Sequence, residues 1–244
     1  VGNTVRTWVN GVAVSHFVDT LAETGFIALQ VHSVGTPEEN GRRLRFRNVR
    51  IQTGKAIQRR PWDDCPVLNL TLNTLTEQEQ KQGWKLLFNG QNLDGWRSAF
   101  KAETPTEGWS VEQGVLKISG SNGSESRTYG DLVSRDSFAA FEFTFQFRLT
   151  EGANSGVKYF VDEHYDTKGG SAIGLEYQLL DNERHPDATQ GVVGNRTLGG
   201  LYDLIPPDVS DPRTKRPVSD WQHGRIVVRP NGAVEHWLNG IRVV

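Results

Sequence analysis

The 244-residue chain carries 27 Lys and Arg against 29 Asp and Glu, for a formal net charge of −2, with 36% hydrophobic and 23% charged residues. That balance gives no phosphate-neutralising surface of the nucleic-acid-binding type, and no apolar run approaches the roughly 20 residues of a membrane-spanning helix. The single Cys65 excludes an intrachain disulfide and a multi-cysteine zinc site. At about 150 residues per domain the length allows one large or two small domains, and 7 Trp, 11 Phe and 5 Tyr can furnish a core. No methionine is present, and strand-like patterns run through residue 1 and up to Val244. We therefore expect a chain cut at both ends.

In chain order the first element is a β-hairpin over Val5–Val14, an alternating strand, an Asn10-Gly11 turn and a returning strand. Leu44 to Arg47 alternates and slips phase at Asn48 before Val49-Arg50-Ile51, which predicts a bulge. Thr76 and Glu79 are spaced as a capping box, with Gly83 as the stop, so a short helix is predicted over 76–82. That segment has almost no apolar stripe and reads as a surface connector. Phe141 to Leu149 alternates without a fault, the pattern of a half-buried antiparallel strand. Val157–Val161, Leu175–Leu180 and Arg225–Arg229 are shorter strand candidates. A second hairpin, Val234–Val243, repeats the first at a constant offset of 229 residues, with Val, Trp, Asn, Gly and the last Val coinciding.

This repeat divides the chain. Residues 1–53 read as the end of a first copy, 54–82 as a linker with a short helix, and 83–244 as most of a second copy. We expect 1–51 to pack on 83–244 as one permuted sandwich, because open sheet edges and bare apolar faces penalise separate halves. Many short strands with little helix predict an all-β jelly-roll sandwich.

A set of motifs then follows in a fixed order. Gly83-Trp84-Lys85-Leu86-Leu87-Phe88-Asn89-Gly90 precedes Leu93-Asp94-Gly95-Trp96, then come Trp109-Ser110-Val111, Gly152-Ala153-Asn154-Ser155-Gly156-Val157 and Glu176-Tyr177-Gln178-Leu179-Leu180-Asp181-Asn182 with His185. Gly200-Leu201-Tyr202-Asp203-Leu204 and Val234-Glu235-His236-Trp237-Leu238-Asn239-Gly240 complete it, while Gly25 to His32 and Arg45 to Ile51 resemble closing strands. In order and spacing the chain resembles the 3-keto-disaccharide hydrolase domain family. The resemblance implies a concanavalin-like jelly roll of two antiparallel sheets with a sugar site on the concave face. It also implies activity on glycosides oxidised at the 3-position, in secreted or periplasmic carbohydrate metabolism. Arg6-Thr7 stands in the first copy where Glu235-His236 stands in the second.

Several residues are candidates for that chemistry. Glu176 and Gln178 lie two apart in a strand and share a face, with Tyr177 and Leu179 turned to the core. A ketone at C3 acidifies the C2–H, so one base could start elimination across C1–C2; alternatively two groups could assist hydrolysis directly. Glu176 and His236 are the candidate base and acid, with His185 or Asp181 as substitutes. His236 shares its hairpin face with Val234 and Leu238, which favours a buried, hydrogen-bonded imidazole and leaves its catalytic assignment to the resemblance. Asn154, Lys158, Gln178, Asn182, Tyr202, Trp237 and His32 are the candidate substrate contacts. Trp237, recurring as Trp8, fits core packing better than sugar stacking, and Tyr202 lies in a long irregular stretch of the kind that forms lids. Asp181, His185 and Asp187 carry donor types suited to a divalent ion but not the spacing of a recognised metal signature, and no cofactor motif is evident. The expected partner is an oligosaccharide or glycoside; the alternative reading is a non-catalytic carbohydrate-binding jelly roll.

Overall fold

The computed structural model describes residues 4–9, 12–21, 24–30, 46–47, 49–51, 68–119, 130–164 and 171–244. Two compact units are present, Val1–Asn89 and Gly90–Val244.

In the first unit β1 (Thr4–Val9) and β2 (Val12–Val18) form the expected antiparallel hairpin, with a register shift between Thr7 and Trp8. The predicted linker contains a strand that local pattern did not announce: β3 (Leu68–Asn69) pairs in parallel with β2. The free edge of β2 offers unpaired backbone groups, and Leu70 N donates to Val18 O at 2.9 Å. The helix α1 (Glu77–Lys81) has both halves of its capping box, Glu79 N to Thr76 Oγ1 at 3.1 Å and Thr76 N to Glu79 Oε2 at 2.7 Å. Gly83 follows with φ +87°, a conformation that favours glycine. No residue of α1 is buried, as its missing apolar stripe requires. The described parts of the proposed closing segment, 24–30, 46–47 and 49–51, carry no strand; a strand needs a neighbour for its backbone groups, and none of the described ladders reaches them. The predicted bulge at Asn48 and the candidate His32 lie outside the described residues.

Apart from two short 3-10 turns, Pro186–Thr189 and Pro212–Thr214, the regular elements described in the second unit are strands. Its strands are β4 (Trp96–Ser98), β5 (Trp109–Glu112), β6 (Val115–Ile118), β7 (Leu132–Ser134), β8 (Phe141–Phe147), β9 (Asn154–Asp162), β10 (Ile173–Leu180), β11 (Gln222–Val228), β12 (Val234–Leu238) and β13 (Ile241–Arg242). All pair antiparallel: β4 with β7, β5 with β6, β9 with β10, and a four-stranded sheet in the order β13-β12-β11-β8. In β8 the phenylalanines take the inner face while Glu142, Thr144 and Gln146 are exposed. Phe145 crosses the sheet space over Gly224, its opposite residue in β11, and meets Tyr177 of β10 edge-on at 5.5 Å. Tyr159, Tyr177, Leu179, Ile226, Val228 and Leu238 join Phe147 in one buried cluster. The core therefore lies between the four-stranded sheet and the β9–β10 pair, as an all-β sandwich requires. Its second hairpin turns at Asn239 (φ 51°) and Gly240 (φ 84°), the two positive values of a type I′ turn.

Candidate functional site

The register of β9 and β10 sets the site. Glu176 stands opposite Lys158, Tyr177 opposite Val157, and Gln178 opposite Gly156. Tyr177 and Leu179 fill the core, so alternation turns Glu176, Gln178 and Lys158 to the other face of the pair. Directly opposed residues hold their Cβ atoms about 5 Å apart, which puts one carboxyl and one ammonium in a single patch. The Glu176 side chain leans over Gly156: a Cβ built there would lie 1.7 Å from Glu176 Oε1. Only glycine leaves that space open.

Lys158 is anchored from below. Its Nζ donates to Asp131 Oδ2 at 2.9 Å and to Ser171 Oγ at 2.8 Å, and Ala172 N donates to the same Asp131 oxygen at 3.0 Å. Asp131 arrives just before β7, where Ala99 N holds its carbonyl at 2.8 Å.

The irregular stretch after β10 supplies the opposite wall. Gly199 N donates to Gln178 O at 2.9 Å, Gln178 N to Gly200 O at 3.1 Å, and Tyr202 N to Glu176 O at 2.9 Å. The expected lid is thus bonded along the edge of β10 like an added strand. Tyr202 Oη donates to Asp187 Oδ2 at 3.0 Å, and Arg196 Nη1 donates to Asp187 Oδ1 at 3.0 Å. Arg196 Nε reaches Asp203 at 2.9 Å, and its guanidinium lies 5.3 Å from the Tyr202 ring centroid.

These surroundings tune the acid. Burial raises the Glu176 proton affinity above the ordinary carboxylate value; the Lys158 charge opposes that, and the Asp131 and Asp187 charges reinforce it. Burial, aided by the hydrogen bond to Asp187, pushes the Tyr202 phenol up to about 12. Gln178 is 1% exposed; its Nε2 donates to Asn154 Oδ1 at 3.3 Å, and its Oε1 has no partner among the described residues.

Of the predicted residues, Glu176, Lys158, Gln178, Asn154 and Tyr202 come together on this face. Others do not. His236 is fully buried on the core side, where Nε2 meets Tyr159 Oη at 3.1 Å and Nδ1 meets Gly199 O at 3.1 Å. Burial lowers its proton affinity, and its two ring nitrogens link Tyr159 of the core to Gly199 of the loop. Asp181 lies at the far end of β10, accepting from Gly152 N at 2.8 Å and Glu183 N at 3.1 Å; those bonds, the first above all, keep it below the usual carboxylate range. His185 caps the 3-10 turn Pro186–Thr189, its Nδ1 accepting from Asp187 N at 3.2 Å. Asn182 Oδ1 accepts from Leu198 N at 2.9 Å. Trp237 is neither in the core nor at the patch: its neighbours His236 and Leu238 point inward, so it lies on the outer side of the four-stranded sheet, 5.0 Å from the Arg225 guanidinium and bonded to Glu235.

Asp131, Ser171 and Arg196 belong to the site and carried no local signal, because each is brought in by tertiary pairing. Asp187 was visible only as a member of the Asp181-His185-Asp187 cluster, whose side chains are instead committed to backbone amides, Arg196 and Tyr202. Among the described residues no three His, Cys, Asp or Glu side chains gather as metal ligands. A separate concavity of about 560 Å³ is lined by Arg97, Phe100, Lys101, Ala102, Arg135 and Glu163. The Arg97–Glu163 ion pair bounds it, and it contains none of the predicted site residues.

The model of the 3-keto-alpha-glucoside-1,2-lyase-like domain family matches residues 1–52 and 83–244. A curated Bacteroides thetaiotaomicron protein named 3-keto-disaccharide hydrolase is 34% identical over 172 residues, 66% of this chain and 58% of that protein. The chain thus spans under two thirds of that relative's length. A crystal structure from Parabacteroides distasonis, provisionally assigned as a glycosyl hydrolase, is similar at a TM-score of 0.59 and 29% identity, covering 70% of this chain and 76% of that one.

Proposed function

The chain belongs to the 3-keto-alpha-glucoside-1,2-lyase-like domain family, and on that premise we propose that the Glu176–Lys158 face cleaves glycosides oxidised at C3. One observation carries the reading: a carboxyl whose proton affinity is raised by burial stands across a strand pair from an anchored ammonium. A carboxylate whose proton affinity is raised is a stronger base, which suits general-base work. Glu176 removes the C2 proton, the electron pair moves into the C2–C3 bond as an enolate, and the Lys158 charge stabilises the C3 oxygen. The enolate then re-forms the ketone as C1=C2 forms and the C1–O bond breaks, the leaving oxygen taking a proton from solvent. Addition of water across the new double bond makes the net reaction a hydrolysis; stopping at the enone makes it a lyase. Gln178 and Asn154 offer amide groups to sugar hydroxyls. The setting we propose is secreted or periplasmic carbohydrate metabolism.

The decisive measurement is consumption of a 3-keto-glucoside by the wild-type chain and by Glu176→Gln. Loss of a general base is worth roughly 10²–10⁴ in rate, so E176Q is expected to lose at least a hundredfold while still binding the sugar. Turnover by E176Q at the wild-type rate overturns the assignment of Glu176. A wild-type chain that binds the ketosugar and releases no product supports the alternative of a binding module.

A further inference from the structure

The loop after β10 is built around one cation that the reaction above does not use. Arg196 donates from one nitrogen to Asp187, from another to Asp203, and lies against the ring of Tyr202. Tyr202 closes the circuit by donating to the second Asp187 oxygen and, through its backbone, to the carbonyl of Glu176. The stem of Arg196 fits because Gly191 has φ +77°; a Cβ there would lie 3.1 Å from Arg196 Cγ and Nε and 2.4 Å from Asn195 Oδ1. Asn195 in turn accepts from Val192 N at 2.9 Å and is 7% exposed. A guanidinium forked between two carboxylates fixes direction as well as charge, and Asp187 itself is 8% exposed.

We propose that Arg196 is a positioning residue: its guanidinium locks Asp187 and Tyr202 against the β10 edge and so fixes the polar wall beside the Glu176 carboxyl. It touches no reacting atom. Its effect passes through Asp187, whose negative charge faces Glu176 together with Asp131 from the segment before β7 and Lys158 from β9. With Arg196 in place the Asp187 charge is compensated and stationary. Without it, Asp187 bears on Glu176 with a full charge and Tyr202 loses its stacking partner.

The inference rests on the Glu176 reading, so its test includes an arm that needs no turnover. In protein labelled with ¹³C at the glutamate carboxyls, the Glu176 resonance is assigned by its loss in E176Q and titrated with pH. Removing a cation that shields a neighbouring anion raises a carboxyl's midpoint, and removing the anion lowers it. Arg196→Met is expected to move the Glu176 midpoint upward, Arg196→Lys to restore it, and Asp187→Asn to move it downward. With the 3-keto-glucoside, R196M is expected to lose kcat about tenfold while KM stays within about threefold, since orientation and not binding is disturbed. A folded R196M with wild-type midpoint and kcat overturns the proposal. Should R196M fail to fold, an unmoved midpoint in D187N does the same, because that variant keeps Arg196 on Asp203. If the wild-type chain consumes no ketosugar while the midpoints move as stated, the proposed function falls and the positioning role of Arg196 stands.

Discussion

A methyl group added at Gly156 would lie 1.7 Å from Glu176 Oε1 and 2.5 Å from its carboxyl carbon, so Gly156→Ala has to swing that carboxyl away from its place. The obstacle is the far end of a side chain and Gly156 has no positive φ, so the fold yields at a cost of about 1 kcal/mol while the base is misplaced. We expect kcat/KM for a 3-keto-glucoside to fall roughly 10- to 100-fold with the melting temperature within a few degrees of wild type; full activity in G156A would show that the carboxyl's resting place is irrelevant. Asp181 makes the contrasting case. Its carboxylate holds the amides of Gly152 and Glu183, and its folded proton affinity is lowered, first by the Gly152 bond. Such a group adds stability that is present above its unfolded value and is lost as pH falls through the folded one. Asp181→Ala should therefore melt below wild type at pH 7, with the gap closing in acid, while kcat of the folded fraction is kept. A collapse of kcat at unchanged stability would return Asp181 to the reaction.

Phe145 and Gly224 form a cross-strand pair in which a ring replaces a side chain. A Cβ on Gly224 would lie 2.3 Å from Phe145 Cζ, and Phe145 is wedged between Phe143 at 5.3 Å, Phe147 at 5.8 Å and Tyr177 at 5.5 Å. The ring cannot step aside, so Gly224→Ala should cost about 1–3 kcal/mol in denaturant unfolding; a neutral result would mean the phenylalanine ladder is looser than its spacing implies. Elements of this kind were legible in the sequence because their signal is local. Unbroken alternation over Phe141–Leu149 declares a strand and its inner face, Thr76 with Glu79 declares a helix start, and Asn239-Gly240 declares a hairpin. The Tyr177 and Leu179 period likewise told which way Glu176 points. What stayed hidden is carried by contacts between distant segments. Asp131 reaches Lys158 across 27 residues, β3 is two residues with no strand pattern of their own that pair with the distant β2, and Arg196 acts only because an irregular loop is bonded to β10. Trp237 misled because a tryptophan in a hairpin reads as core, whereas alternation with the buried His236 puts it on the outer side. His236 itself was legible as buried from its neighbours, and geometry sided with that pattern.

The chain as a whole is slightly acidic, with a net charge of −2, and the charge at the site has the same sign. Among the described residues, Glu176, Asp131, Asp187 and Asp203 bring four carboxylates to Lys158 and Arg196, which supply two cations already committed to Asp131, Asp187 and Asp203. In the proposed reaction Lys158, shared with Asp131, is taken up by the C3 oxygen and Arg196 by Asp187 and Asp203, so neither is spare for a further acidic group on the sugar, while Gln178 and Asn154 suit neutral hydroxyls. An incoming carboxylate or phosphate would lose hydration and find an excess of like charge, a penalty of about 1 kcal/mol or more at close range even when largely screened. We therefore predict that kcat/KM for a neutral 3-keto-glucoside exceeds that for the corresponding uronic acid by at least about tenfold. Because the repulsion is Coulombic, raising the ionic strength from about 0.01 to 0.15 M shortens the screening length from roughly 30 to 8 Å and should narrow the ratio by helping the acidic sugar alone. Asp187→Asn should narrow it too, by removing one of the four charges. Equal turnover of both sugars at low salt, or a ratio that ignores salt, would mean that substrate meets the β9–β10 face without approaching these carboxylates.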